Sequence, residues 1–223
     1  MRIASSNLQH GVPDPVAPPA LHRAVAPLRA LGADVYAFQE LDRGRWRTRW
    51  AHQGAVLADA LDGELLWARG KHWLWASQGT ALVVRGELVE REVVPLPGPD
   101  EPRVAVVAQM VVAGGRWSVA GTHPSLDRTT ALQQVRTIAA VLAERPWPRV
   151  LVGDLNLRPE VVRPLATELG YDLLDGPDTI NARTGLNRRL DHVLVQGATI
   201  TASGVEKLPV SDHLTIWADV TAE

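Results

Sequence analysis

Short runs of β-branched and apolar residues recur along the chain and predict a protein rich in β-strands. Polar and apolar positions alternate most clearly over Arg116–Thr122, as they do in a strand. Val104–Val107 is apolar without a break and predicts a strand that is covered on both faces. The other predicted strands are Arg2–Ser6, Asp34–Gln39, Thr80–Arg85, Val89–Val94, Val104–Ala113, Val150–Gly153, Leu190–Val195 and Leu214–Val220.

Several segments between these strands repeat their apolar residues at helical spacing. Ala131, Val135 and Leu142 belong to a series with intervals of three and four residues, which places them on one face of a helix. Further helices are predicted over residues 20–31, 51–61 and 160–169. Because strands dominate and helices lie between them, the pattern predicts a layered α/β or α+β sandwich. No repeat or long linker divides residues 1–223, so we expect a single domain.

The composition removes several classes of protein from consideration. Hydrophobic residues make up 46% and charged residues 22% of the 223 residues, which is the balance of an ordinary globular protein. The lack of cysteine excludes disulfide scaffolds, thiolate metal sites and cysteine nucleophiles, so any metal must be held by oxygen and nitrogen ligands. The formal net charge of −2 gives no overall basic field of the kind found in dedicated nucleic-acid binders.

Sequence signals for export, membrane insertion and several enzyme classes are missing. The amino-terminal segment has no secretory pattern, and no apolar stretch approaches the roughly 20 residues of a membrane span. We therefore expect a cytoplasmic protein that does not contact a membrane. We also expect a monomer. Motifs of serine hydrolases, zinc proteases, P-loop proteins and dinucleotide-binding proteins are also absent.

Polar residues suited to metal and phosphate chemistry stand at the ends of the predicted strands. If these strands lie side by side, one edge of the fold gathers several carboxylates, amides and imidazoles. Carboxylates crowd in this way when a cation or shared protons offset their repulsion. The set comprises Asn7, Gln39 and Glu40, Thr122 and His123, Asp154 and Asn156 in G-D-L-N, Asp191 in L-D-H, and Asp212 and His213 in S-D-H.

In this order, the motifs resemble those of the endonuclease/exonuclease/phosphatase superfamily, and the resemblance spans nearly the whole chain. The resemblance implies a four-layer sandwich in which two β-sheets are flanked by α-helices. It also implies hydrolysis of phosphoesters assisted by a divalent ion, usually Mg²⁺, for which Mn²⁺ can substitute. A phosphodiesterase, and in particular a nuclease, is the activity that we expect.

The resemblance and the chemistry of the side chains together assign roles around the metal. Glu40 offers a hard oxygen ligand, and the family pattern adds Asn7 and Asp212 near the same ion. His213 is the expected base or orienter of the attacking water, because imidazole titrates near neutral pH. By resemblance, Asp191 is the carboxylate that fixes the tautomer of His213.

Asp154, Asn156 and His123 are expected to act on the phosphoryl group. Asp154 and Asn156 lie two residues apart, so on an extended segment their side chains share a face. Asp154 then positions the water or protonates the leaving oxygen, and Asn156 donates to a phosphoryl oxygen. His123 contacts the phosphate or assists the leaving group. The alternative for G-D-L-N is a tight turn, which Gly, Asp and Asn all favour.

The segment after Glu40 is a candidate for substrate binding. Arg43, Arg45, Arg47 and Arg49 alternate through Trp46 and Trp50. Arginine binds phosphates and indole stacks on bases, so one interpretation is a contact for single-stranded nucleic acid. The other is a solvated loop or strand with two buried tryptophans. Arg188 and Arg189, directly before Leu190, form a second candidate phosphate contact.

Other interpretations of the sequence remain open. A phosphomonoesterase acting on a small phosphorylated metabolite fits the same motifs, and so does a binding domain that has kept the fold without catalysis. Trp67, Trp73 and Trp75 are expected to pack in the core, and His192 is expected to be a packing residue. For His10, packing and a place in the site are equally supported.

Overall fold

Within residues 1–12, 20–180 and 188–223, which the computed structural model describes, the chain forms twelve strands and four α-helices. The strands are β1 (Arg2–Asn7), β2 (Val35–Arg43), β3 (Glu64–Trp73), β4 (Ala76–Val84), β5 (Glu87–Leu96), β6 (Arg103–Val112), β7 (Gly115–Thr122), β8 (Arg149–Asp154), β9 (Asp172–Leu173), β10 (Asp191–Gln196), β11 (Ala198–Lys207) and β12 (Leu214–Ala222). The helices are α1 (His22–Leu31), α2 (Gln53–Ala60), α3 (Arg128–Ala143) and α4 (Pro159–Leu169). None of the described helices is long and apolar enough to cross a membrane.

The strands form two mixed six-stranded sheets, with the orders β11-β12-β1-β2-β4-β3 and β5-β6-β7-β8-β10-β9. One core cluster lies between the sheets, and α1 and α2 cover the outer face of the first sheet while α3 and α4 cover that of the second. The predicted four-layer sandwich is therefore confirmed.

Strand β6 shows how the sequence pattern produces these layers. Val104 and Val106 point into the layer between the sheets, whereas Ala105 and Val107 face the helices of the second sheet. Because successive side chains of a strand point to opposite faces, a strand that is buried on both faces must be apolar throughout. The prediction of a doubly covered strand at Val104–Val107 is confirmed.

Sequence reasoning missed three strands. β3 and β11 lie at the two edges of the first sheet, and β9 at an edge of the second. Edge strands need little apolar surface, so β3 and β11 carry glycine and charged residues that hide their strand periodicity. Trp73 and Trp75 belong to the end of β3 and the following turn, where both are exposed, so their predicted burial is wrong. Trp67 alone of the three packs against the core.

The strand directions bring the predicted motifs to one edge of the sandwich. β1 and β2 are parallel, as are β7 and β8, so each pair ends at the same edge of its sheet. β10 runs antiparallel to β8, so that Asp191 pairs directly with Asp154. β12 runs antiparallel to β1 and therefore starts, just after His213, where β1 ends.

Candidate active site

A cleft of about 510 Å³ opens at this edge, between the two sheets. Its walls carry six of the ten motif residues at the ends of the predicted strands, together with several residues that were not singled out. The polar lining residues are Asn7, His10, Glu40, Lys71, Gln78, Thr80, Glu101, Arg103, His123, Asp154, Asn156 and His213.

Asn7 connects the two sheets at the base of the cleft. Its Nδ2 donates to Oε1 of Glu40 at 3.0 Å and to Oδ2 of Asp154 at 3.0 Å. Glu40 belongs to the first sheet and Asp154 to the second, so one amide nitrogen holds carboxylates from both sheets. Its Oδ1 accepts from the backbone N–H of Gln9 at 3.1 Å, which fixes the orientation of the amide.

A bulge in β2 aims Glu40 into the cleft. The pairing register between β2 and β4 shifts between Phe38 and Leu41, and Glu40 adopts a left-handed φ of 55°. Without the bulge, strand alternation would send Glu40 to the same face as Phe38, which packs beneath the helices. The local irregularity therefore redirects a side chain that regular β structure would send to the helix-covered face.

Two imidazoles face the Glu40 carboxylate. Nε2 of His123 lies 3.6 Å from its Oε1, and Nε2 of His10 lies 3.5 Å from its Oε2. Burial opposes ionisation of Glu40, but the contact and charge of His123, the hydrogen bond from Asn7 and the charge of His10 outweigh it and lower its pKa to about 2. Glu40 is therefore a carboxylate at neutral pH. His10, which the sequence left undecided, belongs to the site.

The G-D-L-N segment turns sharply at the end of β8. A Cβ at Gly153 would lie 2.1 Å from the carbonyl oxygen of Thr122, so only glycine fits beside β7 at this point. Oδ1 of Asp154 accepts from the backbone N–H of Asn156 at 3.0 Å, and Asn156 has a φ of 54°. The extended geometry expected for this pair is wrong, yet both side chains line the cleft because the turn directs them there.

His213 and Asp191 form a buried hydrogen-bonded pair. Nδ1 of His213 lies 2.8 Å from Oδ2 of Asp191, and its Nε2 lies 3.8 Å from Oδ2 of Asp154. The hydroxyl of Thr179 donates to the same Asp191 oxygen at 2.6 Å and accepts from the backbone N–H of Asp191 at 3.2 Å. Thr179 thus fixes the carboxylate that fixes the imidazole. Nothing in the local sequence distinguishes this threonine from an ordinary loop residue.

The carboxylates around His213 hold it protonated. Burial disfavours the imidazolium, but the charge and hydrogen bond of Asp191 and the charges of Asp154 and Asp212 outweigh burial and raise the pKa of His213 to about 10. With these carboxylates uncompensated, His213 is a cation at neutral pH. It becomes a base only when a positive charge offsets the carboxylates.

The donor atoms of the site fit a hard divalent metal. Carboxylates of Glu40 and Asp154 share one amide donor, and Oδ1 of Asp191 accepts no hydrogen bond within the described part of the chain. Carboxylate oxygens are the ligands that Mg²⁺ and Mn²⁺ prefer. Ligand atoms of Asp154, Asp191 and His213 also lie within 4.8 Å of one another. Because His213 is already bonded to Asp191, we interpret this second group as a hydrogen-bonded unit and Glu40 as the carboxylate most open to a metal.

Two expected metal ligands are placed differently from Glu40. Asn7 turns its amide nitrogen to the carboxylates, whereas its oxygen accepts from Gln9, so its present orientation does not suit a metal ligand. Asp212 is half-buried and is not among the described residues that line the cleft. Its charge nevertheless reaches His213.

The structure does not bring the predicted arginine contacts into the cleft. Arg189 is buried, and its guanidinium donates to the backbone carbonyls of Leu174 and Gly176, the latter at 3.3 Å. This places Arg189 in a structural position, because withdrawing it would leave a buried carbonyl without a donor. Arg188 is half-buried, and among the described residues it does not line the cleft.

The arginine-rich segment after Glu40 does not form a single row. Arg47 is bound to the buried carboxylate of Asp42 through Nε at 2.6 Å and Nη2 at 2.8 Å. Arg45 stacks on the ring of Trp73 with its guanidinium carbon 3.7 Å from the ring centre. Arg43 ends β2 and is exposed. The segment turns through a short 3-10 helix at Trp46–Thr48, so its side chains diverge.

Sequence reasoning missed a group of three charged residues that also line the cleft. Glu101 bonds to Lys71 at 2.9 Å and to Arg103 at 2.7 Å, and Arg103 also donates to the backbone carbonyl of His123 at 3.3 Å. Arg103 is thus held in the cleft by two partners. No motif surrounds these three residues, and only the approach of β3 to β6 brings them together.

His192 is fully buried, as expected for a packing residue, and its ring contacts the carbonyl of Leu157 at 2.8 Å. Burial lowers its pKa from 6.5 to about 4. Between pH 6.5 and pH 4, His192 is therefore protonated in the unfolded chain but neutral in the folded chain. The free energy of unfolding consequently decreases as the pH falls from 6.5 towards 4. At about 1.4 kcal/mol per pKa unit, the loss is on the order of 3 kcal/mol.

We therefore expect His192→Phe to reduce the acid sensitivity of the fold. Urea unfolding of the wild type and the variant across the range from pH 6.5 to pH 4 checks this. The exposed residue His22 supplies the control, since His22→Phe should keep the wild-type pH dependence. A slope identical in wild type and His192→Phe would show that His192 does not carry the effect.

Comparison with known proteins agrees with this geometry. Residues 4–213 match the family model of the Endonuclease/Exonuclease/phosphatase family. Among curated protein sequences, none matches this chain.

Solved structures show the same fold at low sequence identity. An endonuclease/exonuclease/phosphatase from Beutenbergia cavernae has a TM-score of 0.84 and 24% identity, and the match covers 100% of this chain and 71% of that one. D. rerio TDP2 complexed with single strand DNA product has a TM-score of 0.73 and 18% identity, with coverage of 100% and 99%. A mannosyl-6-phosphatase from Bacteroides thetaiotaomicron has a TM-score of 0.71 and 13% identity, with coverage of 99% of each chain.

Proposed function

Because this chain belongs to the endonuclease/exonuclease/phosphatase family of phosphoester hydrolases, we propose that it is a divalent-metal-dependent phosphodiesterase, and in particular a nuclease. The observation that carries the proposal is the meeting of both sheets at Asn7. There the carboxylates of Glu40 and Asp154 share one amide nitrogen beside three imidazoles.

The metal site centres on Glu40, and we retain Asn7 and Asp212 as expected further ligands. Mg²⁺, or Mn²⁺ in its place, neutralises phosphoryl charge and activates water when it is bound. Glu40 suits this role because it is ionised at neutral pH and lines the open cleft. Asn7 would have to turn its oxygen away from Gln9 to contribute.

His213 and Asp191 act as one unit on the attacking water. Asp191 holds Nδ1 of His213, which leaves Nε2 to face the cleft next to Asp154. While His213 is protonated, its Nε2–H donates a hydrogen bond to the water and orients it. Once the surrounding negative charge is offset, the deprotonated Nε2 accepts a proton from the water. Asp191 is a positioning residue, because it acts through His213 and Thr179 holds it in place.

Asp154, Asn156 and His123 act on the phosphoryl group. One N–H of the Asn156 amide donates to the carbonyl of Pro124 at 3.0 Å, and the other is available to a phosphoryl oxygen. His123 has a pKa above its usual value: burial opposes this, but the carboxylates of Asp154 and Glu40 outweigh burial. Its imidazolium can therefore stabilise the phosphate or protonate the leaving oxygen.

The cleft binds the phosphate with cations that replace those expected from the sequence. Arg103 is fixed by Glu101 and by the carbonyl of His123, so its guanidinium is preorganised in the cleft wall. Lys71 lies beside it. Arg43 and Arg45 stand outside the cleft and are assigned to a more distant part of a long substrate.

One structural neighbour supports the proposal of a nuclease, and another supports a phosphomonoesterase. D. rerio TDP2 was solved with a single strand DNA product, whereas the Bacteroides thetaiotaomicron neighbour is a mannosyl-6-phosphatase. A phosphomonoesterase acting on a small metabolite therefore remains the second candidate.

Relative activity on diesters and monoesters separates the two candidates. We expect kcat/KM for bis(p-nitrophenyl) phosphate to exceed that for p-nitrophenyl phosphate, and oligonucleotides to be cleaved. A preference for the monoester without cleavage of oligonucleotides would support the phosphatase. Binding of phosphoesters without turnover in Mg²⁺ or Mn²⁺ would support a non-catalytic domain.

A further inference from the structure

A group of exposed aromatic residues lies on one surface beside the cleft. Two neighbouring segments form it: the turn after β2 and the turn between β3 and β4. Arg43 pairs with Ser77, and a Cβ at Gly44 would lie 3.4 Å from the carbonyl oxygen of Trp75, so the two turns are adjacent. We call this the tryptophan surface, and its apolar members with their exposed fractions are Trp46 (76%), Trp50 (62%), Trp73 (38%), Leu74 (84%) and Trp75 (73%).

The tryptophan surface is positively charged. The sequence contains no Asp or Glu from residue 43 to 58 or from residue 65 to 86, which are the stretches that carry both turns. Arg43 and Arg49 are exposed, and Arg45 lies flat against Trp73. Arg47 is the exception, because Asp42 neutralises it. A polyanion is the ligand that this charge complements.

The backbone of the tryptophan surface adopts strained conformations although the side chains that it carries are exposed. Arg49, Trp50 and Leu74 have φ values of 54°, 62° and 42°, a region that bulky residues rarely adopt. Backbone hydrogen bonds from Trp50 to Arg45 at 2.9 Å and from Ala51 to Thr48 at 3.1 Å hold the first turn. Trp50 is thus fixed with its ring in solvent, as suits a preformed contact surface.

The surface continues into the cleft. Lys71 and Gln78 of the β3–β4 hairpin line the cleft, and Leu74 lies at the tip of the same hairpin. At about 3.3 Å per residue, the tip stands about 10 Å from Lys71. The ammonium of Lys71 is 5.4 Å from the ring centre of Trp73, so cation and ring connect the two regions.

We propose that the tryptophan surface binds single-stranded nucleic acid, with the indoles stacking on bases next to the phosphodiester held in the cleft. The inference rests on the proposed function and deepens it. Stacking needs exposed base faces, which a single strand offers and a duplex conceals. An anionic lipid surface would also attract tryptophan and arginine, but the continuity with a cleft for phosphoesters favours the strand.

Binding of fluorescent oligothymidylate of about ten nucleotides tests the proposal. Fluorescence anisotropy of the labelled strand, titrated with His213→Ala protein in Mg²⁺, measures affinity while the substitution slows cleavage. On this background, Trp46→Ala with Trp75→Ala should weaken binding about tenfold or more. Trp147→Ala is the matched control, because Trp147 is 63% exposed but precedes β8 at its end away from the cleft. We expect no change in affinity from it.

The salt dependence of binding and the comparison of different nucleic acids give two independent tests. Arg43→Ala with Arg49→Ala should reduce the slope of log K against log[salt] by about 1.4, at about 0.7 for each phosphate contact on a single strand. A duplex and an abasic strand of the same length should both bind more weakly than oligothymidylate. Equal binding of the abasic strand would reduce the surface to a simple anion patch and overturn the proposal.

Two further outcomes would also overturn it. Binding to phosphatidylserine vesicles that the tryptophan substitutions abolish, without binding of oligonucleotides, would assign the surface to a membrane. Wild-type turnover of bis(p-nitrophenyl) phosphate without strand binding would remove the inference and leave a phosphodiesterase that acts on small substrates. Strand binding without turnover of any phosphoester would instead contradict the proposed function and leave the tryptophan surface as a binding site for single strands.

Discussion

Replacing His213 by Ala or Asp191 by Asn is expected to lower kcat by about 10²- to 10⁴-fold, the range found for general acid–base groups. KM should change little, because neither side chain is assigned to bind the substrate in the ground state. The 2.8 Å hydrogen bond between His213 and Asp191 predicts that the double variant loses about as much as the worse single variant. Steady-state kinetics on bis(p-nitrophenyl) phosphate measure all three.

The contact between Asp191 and His213 is the reason why we expect their substitutions to be non-additive. Asp191 lies opposite Asp154 in the β8–β10 ladder, is fully buried, and reaches the reaction only through the imidazole. His22→Ala, at an exposed histidine of α1, should leave kcat unchanged. Losses that multiply in the double variant would mean that His213 and Asp191 act independently.

Replacing Glu40 by Gln is expected to weaken Mg²⁺ binding by at least about tenfold, because the variant loses the carboxylate that is most open to the cleft. Calorimetric titration of Mg²⁺ measures the change. Glu101→Gln is the matched control, since Glu101 lines the same cleft but is bound to Lys71 and Arg103. An unchanged titration for Glu40→Gln would remove Glu40 from the metal site.

The same substitution should also affect the metal-free fold. The lowered pKa of Glu40, about 2, means that contacts with His123, Asn7 and His10 outweigh burial and stabilise its ionised form. Gln keeps an acceptor for Asn7 but loses the charge, so we expect a loss of about 1 to 3 kcal/mol in the free energy of unfolding. Urea unfolding of the wild type and Glu40→Gln without metal measures this change. A variant more stable than the wild type would show that relief of repulsion among the carboxylates dominates instead.

The layers of the fold were predictable because strand and helix periodicities are local. Alternation over Arg116–Thr122 and the helical series through Val135 need only a few neighbouring residues to be recognised, and each predicted strand and helix overlaps an observed one. β3 and β11 escaped because an edge position relaxes the need for apolar residues. Their pairing depends on the sheet rather than on their own sequence.

The site was predictable where its residues terminate core strands. Asn7, His123 and Asp154 stand at or directly after the ends of strands, and the parallel pairs β1–β2 and β7–β8 bring such ends together. The bulge that turns Glu40 and the contact of Thr179 with Asp191 are set by tertiary geometry, so the sequence gives no local sign of them.

The arginines show where charge alone misleads. Arg189 directly precedes the Leu190–Asp191 motif, but its guanidinium satisfies the carbonyls of Leu174 and Gly176. Arg103 has no motif nearby and nevertheless lines the cleft, because β6 starts at its wall. Sequence position identifies a cation, whereas strand pairing decides which cavity it faces.

Hydrolysis of bis(p-nitrophenyl) phosphate by the wild-type protein, first with chelator and then with Mg²⁺ restored, decides whether the protein is a metal-dependent phosphoesterase. We expect chelation to abolish turnover, Mg²⁺ or Mn²⁺ to restore it, and Asp154→Asn to remain inactive in either metal. Turnover that persists in chelator, or its absence in both metals on diester, monoester and oligonucleotide alike, would contradict a metal-dependent phosphoesterase.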